Sequence, residues 1–215
     1  MIFQLFEFIM HIDKYLQILV SQYSMATYAI LFLIIFLETG VVLAPFLPGD
    51  SLLFAAGALA ATGSFNILIL WLVIFLASVI GDTVNYHIGK FVGVKIFTKE
   101  SSWLFRREYL VRAQEFYEKN GKKTIILARF IPIIRTFAPF VAGIGTMSYL
   151  VFLSYNIVGA FLWSSLFIFG GFFFGNISWI QDNFGLFIII IIIISLIPLI
   201  KEVLAMVISK RKNNI

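Results

Sequence analysis

Four apolar stretches of this sequence are each long enough to cross the hydrocarbon core of a membrane. A helix needs about 20 residues to span roughly 30 Å of hydrocarbon. The predicted spans run near Met25 to Val42, Asn66 to Ile88, Tyr149 to Phe174 and Phe184 to Ile208. With 61% hydrophobic and only 13% charged residues among 215, the chain cannot also surround a soluble core with a polar surface. No linker divides it, so we predict an all-α, polytopic membrane protein with a single domain over residues 1–215.

Two further apolar segments, residues 46–61 and 124–146, contain prolines and glycines that rule out simple spans. Irregular backbone at membrane depth persists only where it is buried in protein or lines a wet cavity. We therefore predict a re-entrant hairpin at each segment. The residues expected to shape the hairpins are Pro48, Gly49, Gly57, Pro132, Pro139 and Gly143.

The two broken segments resemble each other. Charged residues and prolines precede a similar apolar string in each, Phe54–Gly57 in one and Phe140–Gly143 in the other. A matched pair of interrupted hydrophobic segments in the two halves of a membrane protein is a pointer to a transport site near the bilayer midplane. The sequence therefore directs the search for function to these segments.

Four ionisable residues accompany the broken segments: Glu38 and Asp50 near the first, and Arg129 and Arg135 in the second. An ionised group at the bilayer centre costs about 2.5–3.5 kcal/mol on insertion scales, so these side chains are not expected to face lipid. In one reading they neutralise one another as structural ion pairs. In the other, the arginines bind an anion and the carboxylates carry protons.

Charge bias predicts the topology. The connector of residues 90–123 holds nine Lys and Arg against four Glu, and the tail contains Lys210-Arg211-Lys212. The positive-inside rule places both in the cytoplasm. Counting spans from there, the first hairpin enters from outside, the second enters from the cytoplasm, and both termini are cytoplasmic. The hairpins then form an inverted repeat, with interfacial amphipathic helices expected in residues 1–20 and in the connector.

The combined motifs resemble those of the bacterial DedA family, which is related to the VTT-domain membrane proteins. The resemblance covers about residues 31–175, leaving the last span, near 184–208, outside it. The motifs are Glu38 with Pro48-Gly49-Asp50, then Gly81-Asp82-x-x-x-Tyr86-x-x-Gly89-Lys90, then Arg129-x-x-Pro132-x-x-Arg135.

The resemblance implies a lipid transporter of the bacterial cytoplasmic membrane. Family members return undecaprenyl phosphate across that membrane for envelope synthesis, or move phosphatidylethanolamine, and depend on the proton motive force. By residue matching, Glu38 and Asp50 are the proton-coupling acids, and Arg129 and Arg135 bind the lipid phosphate. The expected partners are a membrane lipid and protons, with no nucleic acid.

Secondary candidates each have a plain structural alternative. Asp82 and Tyr86 come at the end of the second predicted span, where the motif can simply cap a helix, and Lys90 is the basic residue that follows the motif. Ser51 can cap a hairpin arm. The spacing of Gly171 and Gly175 is a candidate homodimer face.

No cofactor or metal site is expected, because the chain has no Cys and only two His, in different segments. It also lacks the Gly-x-Ser-x-Gly motif that holds the nucleophile of serine hydrolases, so we do not expect an enzyme. Besides the two lipids, a proton or small-ion antiporter and a non-transporting membrane assembly factor remain open.

Overall fold

The computed structural model describes residues 12–40, 49–93, 107–145 and 147–183, together with positions 186, 187 and 190. Over these residues all the regular structure is helical, which confirms the predicted all-α class for this part of the chain. The α-helices are α1 Ile12–Gly40, α2 Gly49–Ala61, α3 Ile67–Val92, α4 Arg107–Asn120, α5 Thr124–Leu127, α6 Pro132–Ile144, α7 Tyr149–Gly175 and α8 Ser178–Asp182. Two short 3-10 turns, Gly121–Lys123 and Ala128–Phe130, flank α5.

Helices α3 and α7, with 26 and 27 residues, are long and apolar enough to cross a membrane. They correspond to the second and third predicted spans. Within α1 the apolar part, Met25–Gly40, is shorter than a full span, and most of the fourth predicted span lies outside the described residues. The predicted amino-terminal helix is described only from Ile12, where it continues into α1 without a break. The count of four spans and the opposite entry of the hairpins remain predictions.

The second broken segment is interrupted where the sequence indicates. The chain runs through α5 and a 3-10 turn to Ile131, whose φ of −121° and ψ of 106° are extended, and Pro132 then starts α6. Proline suits the first turn of a helix because its missing N–H would have no partner there. The expectation that Pro139 also breaks the segment is wrong, because Pro139 lies inside α6. It costs one backbone hydrogen bond, yet the buried α6 continues to Ile144.

The first broken segment is described only in its second arm. Helix α2 is described from Gly49 to Ala61, and Pro48, and with it the predicted break at Pro48-Gly49, lies outside the described residues. The connector helix is confirmed as α4, with Ala113 buried, Phe116 and Tyr117 half-buried, and polar residues such as Glu115 exposed. Its position along the membrane surface remains a prediction.

By its contacts the chain divides into two compact units. The first unit comprises residues 1–24, 48–67 and 167–215, and the second comprises residues 25–47 and 68–166. The first contains α2 and the last part of α7. The second contains α3 to α6, the end of α1 and the first part of α7.

Within the first unit, α2 and α7 cross at van der Waals contact of their backbones. A methyl group added to Gly57 would lie closer than 3.0 Å to the carbonyl oxygen of Ile168. One added to Gly171 would be equally close to the carbonyl oxygen of Phe54. The string Phe54–Gly57 therefore contacts α7 through a reciprocal pair of glycines.

Within the second unit, α6 and α3 cross in the same way. A methyl group on Gly143 would clash with the carbonyl oxygen of Tyr86, and one on Gly89 with that of Phe140. The two similar strings of the sequence therefore make the same kind of helix crossing, one in each unit. This is local structural support for the internal repeat.

Candidate functional site

The second unit buries an unusual set of polar side chains, each at most 6% exposed. They come from the end of α1, from the middle of α3, from α5 and the 3-10 turn that follows it, from α6 and from α7. The set comprises Glu38, Thr39, Ser78, Asp82, Asn85, Thr124, Arg129, Arg135, Thr136, Asn156 and Ser164. Buried polar groups need hydrogen-bond partners and buried charges need opposite charges, so the pairing of these residues defines the site.

Arg135 on α6 forms a buried ion pair with Glu38 on α1. Its Nη2 donates a hydrogen bond of 2.7 Å to Oε1 of Glu38, and both side chains are at most 7% exposed. The guanidinium carbon of Arg135 also lies 4.5 Å from the centre of the Trp163 ring. Arg135 is therefore held by a carboxylate and by the negative face of an indole.

Arg129 is held by a charged and a neutral acceptor. Its Nη2 lies 2.5 Å from Oδ2 of Asp82 on α3 and 2.5 Å from Oδ1 of Asn156 on α7. The Nδ2 of Asn156 donates a hydrogen bond of 3.0 Å to the carbonyl oxygen of Val79. The Nε of Arg129 has no hydrogen-bond partner among the described residues.

Trp163 brings the two arginines together. It is fully buried in α7, and both guanidinium carbons lie within 6.0 Å of the centre of its ring, that of Arg129 at 6.0 Å and that of Arg135 at 4.5 Å. Two cations that share one aromatic ring form a compact region of positive charge, which the two carboxylates neutralise.

Asn85 ties three helices together beside the Glu38–Arg135 pair. Its Nδ2 donates to the carbonyl oxygen of Thr39 at 3.0 Å and to that of Thr136 at 2.8 Å. Thr39 follows Glu38 and Thr136 follows Arg135 in the sequence. The two hydrogen bonds of Asn85 therefore hold in place the backbone segments that carry Glu38 and Arg135.

Two glycines make room for the charged residues. A methyl group on Gly81, directly before Asp82, would clash with Oγ1 of Thr39, so α1 and α3 approach closely there. A methyl group on Gly159 of α7 would lie 3.0 Å from Cδ of Arg129. Larger residues at either position would shift the helices or the arginine.

The family model of the VTT domain matches residues 47–173 of the chain. Protein DedA of Escherichia coli K12 is 53% identical over 206 residues, which cover 95% of this chain and 94% of that protein. The chain belongs to the DedA family of VTT-domain membrane proteins. The membrane protein Rv0364 of Mycobacterium tuberculosis H37Rv, which has no characterised function in its name, is 44% identical over 168 residues, or 77% of this chain and 74% of that protein. The inner membrane protein YqjA of E. coli K12 is 34% identical over 138 residues, covering 63% and 62%. No solved structure gives a significant match.

In this DedA-family chain the structure brings Glu38, Arg129 and Arg135 into one unit, together with Asp82. Asp50 and Ser51 lie elsewhere, in the first turn of α2 in the first unit, where both are half-buried.

The expected position of Asp82 at the end of a span is wrong. Helix α3 continues to Val92, which leaves Asp82 deep in the helix and 3% exposed. Tyr86 is a packing residue: its hydroxyl donates to the carbonyl oxygen of Met147 at 2.7 Å, and its ring stacks on Phe152. Lys90, near the end of α3, is exposed.

Three contributors to the site, Asn85, Asn156 and Trp163, were not singled out from the sequence. A signal existed for Asn156, because it is the one Asn or Gln in the apolar run Tyr149–Gly175, and polar residues inside spans usually face protein. No such signal marks Trp163, since tryptophan is common in membrane helices.

Proposed function

We propose that this protein is a lipid transporter driven by the proton motive force, which returns undecaprenyl phosphate across the bacterial cytoplasmic membrane for envelope synthesis. Arg129 and Arg135 would hold the lipid phosphate, and Glu38 and Asp50 would carry protons. The observation that carries the proposal is the convergence of two buried arginines on one indole ring, each paired with a carboxylate.

Arginine suits the role of phosphate ligand. Its planar guanidinium binds phosphate through two parallel hydrogen bonds and stays charged at every working pH. Stacking on Trp163 orients the guanidinium of Arg135 without using its N–H donors. The N–H groups of Arg135 can then exchange the carboxylate of Glu38 for a phosphate while the side chain stays in place.

The ion pair of Glu38 and Arg135 links protons to lipid binding. A phosphate must compete with the carboxylate of Glu38 for the guanidinium. When Glu38 takes up a proton, Arg135 keeps a positive charge that is costly to leave uncompensated in a buried site. An anionic headgroup restores neutrality, so proton uptake favours phosphate binding. A charge moved across 100 mV is worth about 2.3 kcal/mol, which can bias such a two-state exchange.

The closed ion pairs also favour a second candidate function. Buried pairs that only neutralise one another would suit a non-transporting assembly factor, in which the charges maintain packing. An ion antiporter, in contrast, would use the carboxylates but have little need for two arginines on one ring.

The experiment that tests the proposal is lipid movement in liposomes that contain the purified protein. Undecaprenyl phosphate, phosphatidylethanolamine and uncharged undecaprenol are each followed with and without an imposed pH gradient. We expect gradient-dependent movement of undecaprenyl phosphate and none of undecaprenol. Movement of phosphatidylethanolamine alone would show that the cargo is wrong. Proton flux without lipid movement would favour an antiporter, and the absence of both would favour an assembly factor.

A further inference from the structure

Each arginine of the site is paired with one carboxylate, but Arg129 also has a neutral amide ligand. Arg135 is paired with Glu38, whereas Nη2 of Arg129 is shared between the carboxylate of Asp82 and the amide of Asn156. Asp82 therefore has the same relation to Arg129 that Glu38 has to Arg135. We propose that Asp82 is a second proton-linked carboxylate of this site, and that the paired carboxylates match it to a phosphate monoester carrying two negative charges.

Charge balance is the first step of the argument. The arginines contribute two positive charges and the carboxylates two negative charges, so the site is neutral as observed. A phosphate monoester near neutral pH carries about −1.5 to −2 charges. Such a headgroup keeps the buried site neutral only if both carboxylates take up protons, while a phosphodiester with one negative charge needs one proton.

Asn156 provides the second step. Because its Nδ2 is bound to the carbonyl oxygen of Val79, its Oδ1 remains directed at Arg129 whether or not Asp82 is charged. Gly159, which is on the same helix as Asn156, leaves space for the side chain of Arg129. Protonation of Asp82 would therefore free the guanidinium for an anion without releasing the side chain. The Nε of Arg129, which lacks a hydrogen-bond partner among the described residues, is a donor ready for a phosphate oxygen.

The surroundings of Asp82 are the third step. The charged groups that act on it are Arg129 from the break before α6 and, at longer range, Arg135 from α6, whose own partner is Glu38 on α1. Asn156 faces it from α7 as a neutral group. Beyond the burial of its side chain, the protonation of Asp82 is therefore linked to whether Arg129 has another anion.

This inference rests on the proposed function, and its test separates the two. Purified protein in detergent is titrated with a short-chain prenyl monophosphate, with the matching prenyl methyl phosphodiester and with the prenol, over a pH series above about 6, the second pKa of a phosphate monoester. Each linked proton changes affinity by up to about tenfold per pH unit. For the wild type we expect affinity for the monophosphate to rise by up to about a hundredfold per unit fall in pH, and for the diester by up to about tenfold.

Asp82→Asn should reduce the pH dependence for the monophosphate by one proton, to at most about tenfold per unit. Glu38→Gln should do the same, while Asn156→Asp, which adds a competing carboxylate, should weaken binding at alkaline pH and steepen the dependence. In Asp82→Asn/Asn156→Asp a carboxylate again faces the same nitrogen of Arg129, and the wild-type dependence should return.

A folded Asp82→Asn protein whose binding has the wild-type pH dependence would overturn the inference. It would not contradict the proposed function in lipid transport. If that variant does not fold, an unchanged pH dependence in Asn156→Asp overturns it equally. Failure of the wild type to bind the monophosphate more tightly than the prenol would instead reject the proposed function itself.

Discussion

Arg129 and Arg135 both lie within 6.0 Å of the centre of one tryptophan ring but are held in different ways. Arg135 combines a carboxylate partner with a close stack on Trp163, whereas Arg129 lies farther from the ring and has an amide as its second ligand. At the scale of single residues, we therefore expect function to depend on the shape of the guanidinium as well as on its charge.

Replacing either arginine by lysine should impair transport although the charge is kept. Lysine cannot reproduce the two parallel hydrogen bonds to phosphate or the contact of a flat guanidinium with the Trp163 ring. Since a hydrogen bond to a charged group contributes about 1.5–3 kcal/mol, we expect Arg129→Lys and Arg135→Lys each to lower the gradient-driven transport rate by about tenfold or more. Protein abundance serves as the control. Full transport in either folded lysine variant would contradict guanidinium recognition.

Neutralising the acids should separate binding from coupling. Glu38→Gln and Asp50→Asn copy the protonated acids, so lipid binding should persist while the dependence of transport on the pH gradient falls to the part that Asp82 supplies. If the acids are only structural, Glu38→Gln should instead destabilise the fold by about 3–5 kcal/mol, because it leaves Arg135 buried without its partner, and Glu38→Gln/Arg135→Gln should restore stability. Transport and thermal unfolding of these variants, and of Glu38→Gln/Asp50→Asn, distinguish these results. Normal gradient dependence in a folded Glu38→Gln/Asp50→Asn protein would exclude proton coupling by these acids.

At the scale of helices, the two broken segments end in helices that use one crossing design. Gly57 of α2 contacts α7, and Gly143 of α6 contacts α3, each against a backbone carbonyl oxygen. Gly57 and Gly143 are the last residues of the two similar strings, Phe54–Gly57 and Phe140–Gly143, so a shared helix crossing accounts for the similarity of the strings. Small residues at such crossings allow the close backbone approach on which helix association in membranes depends.

Gly57→Ala and Gly143→Ala should each destabilise the protein by about 1–3 kcal/mol or more, because the added methyl group must push two helix backbones apart. Gly170→Ala is a matched control on α7. A methyl group there would meet only the ring of Phe54, at 3.4 Å, which is ordinary contact. Thermal unfolding in detergent measures the effect. A Tm of Gly143→Ala equal to that of Gly170→Ala would refute the tight crossing.

At the scale of the whole molecule, the proposed inverted repeat depends on which side of the membrane each loop faces. The basic connector of residues 90–123 and the tail set the prediction through the positive-inside rule. Alternating access would follow if the two hairpins enter from opposite faces.

Single cysteines test that topology cleanly, because the natural chain has none. Cysteines at Asn66 and Asn183 should react with an impermeant thiol reagent added to intact cells, whereas cysteines at Lys99 and Lys212 should react only after the membrane is opened. Labelling at Lys99 from outside would overturn the arrangement of the hairpins.

The sequence by itself was sufficient for the properties that depend on local composition. The membrane class follows from the apolar runs, and the break before Pro132 follows from a residue whose backbone preference does not need distant partners. The presence of Glu38, Arg129 and Arg135 at the site could be anticipated because buried charges in a membrane are too costly to be incidental.

Only the tertiary structure decided how those charges are paired. Arg129 contacts Asp82 and Asn156 because α3 and α7 both pass beside the break before α6, and no spacing in the sequence encodes that crossing. For the same reason Pro139 remains inside a buried helix, where tertiary packing outweighs its local tendency to break it. Partners far apart along the chain are selected by helix packing, so the chemistry of this site becomes visible only once the helices are in place.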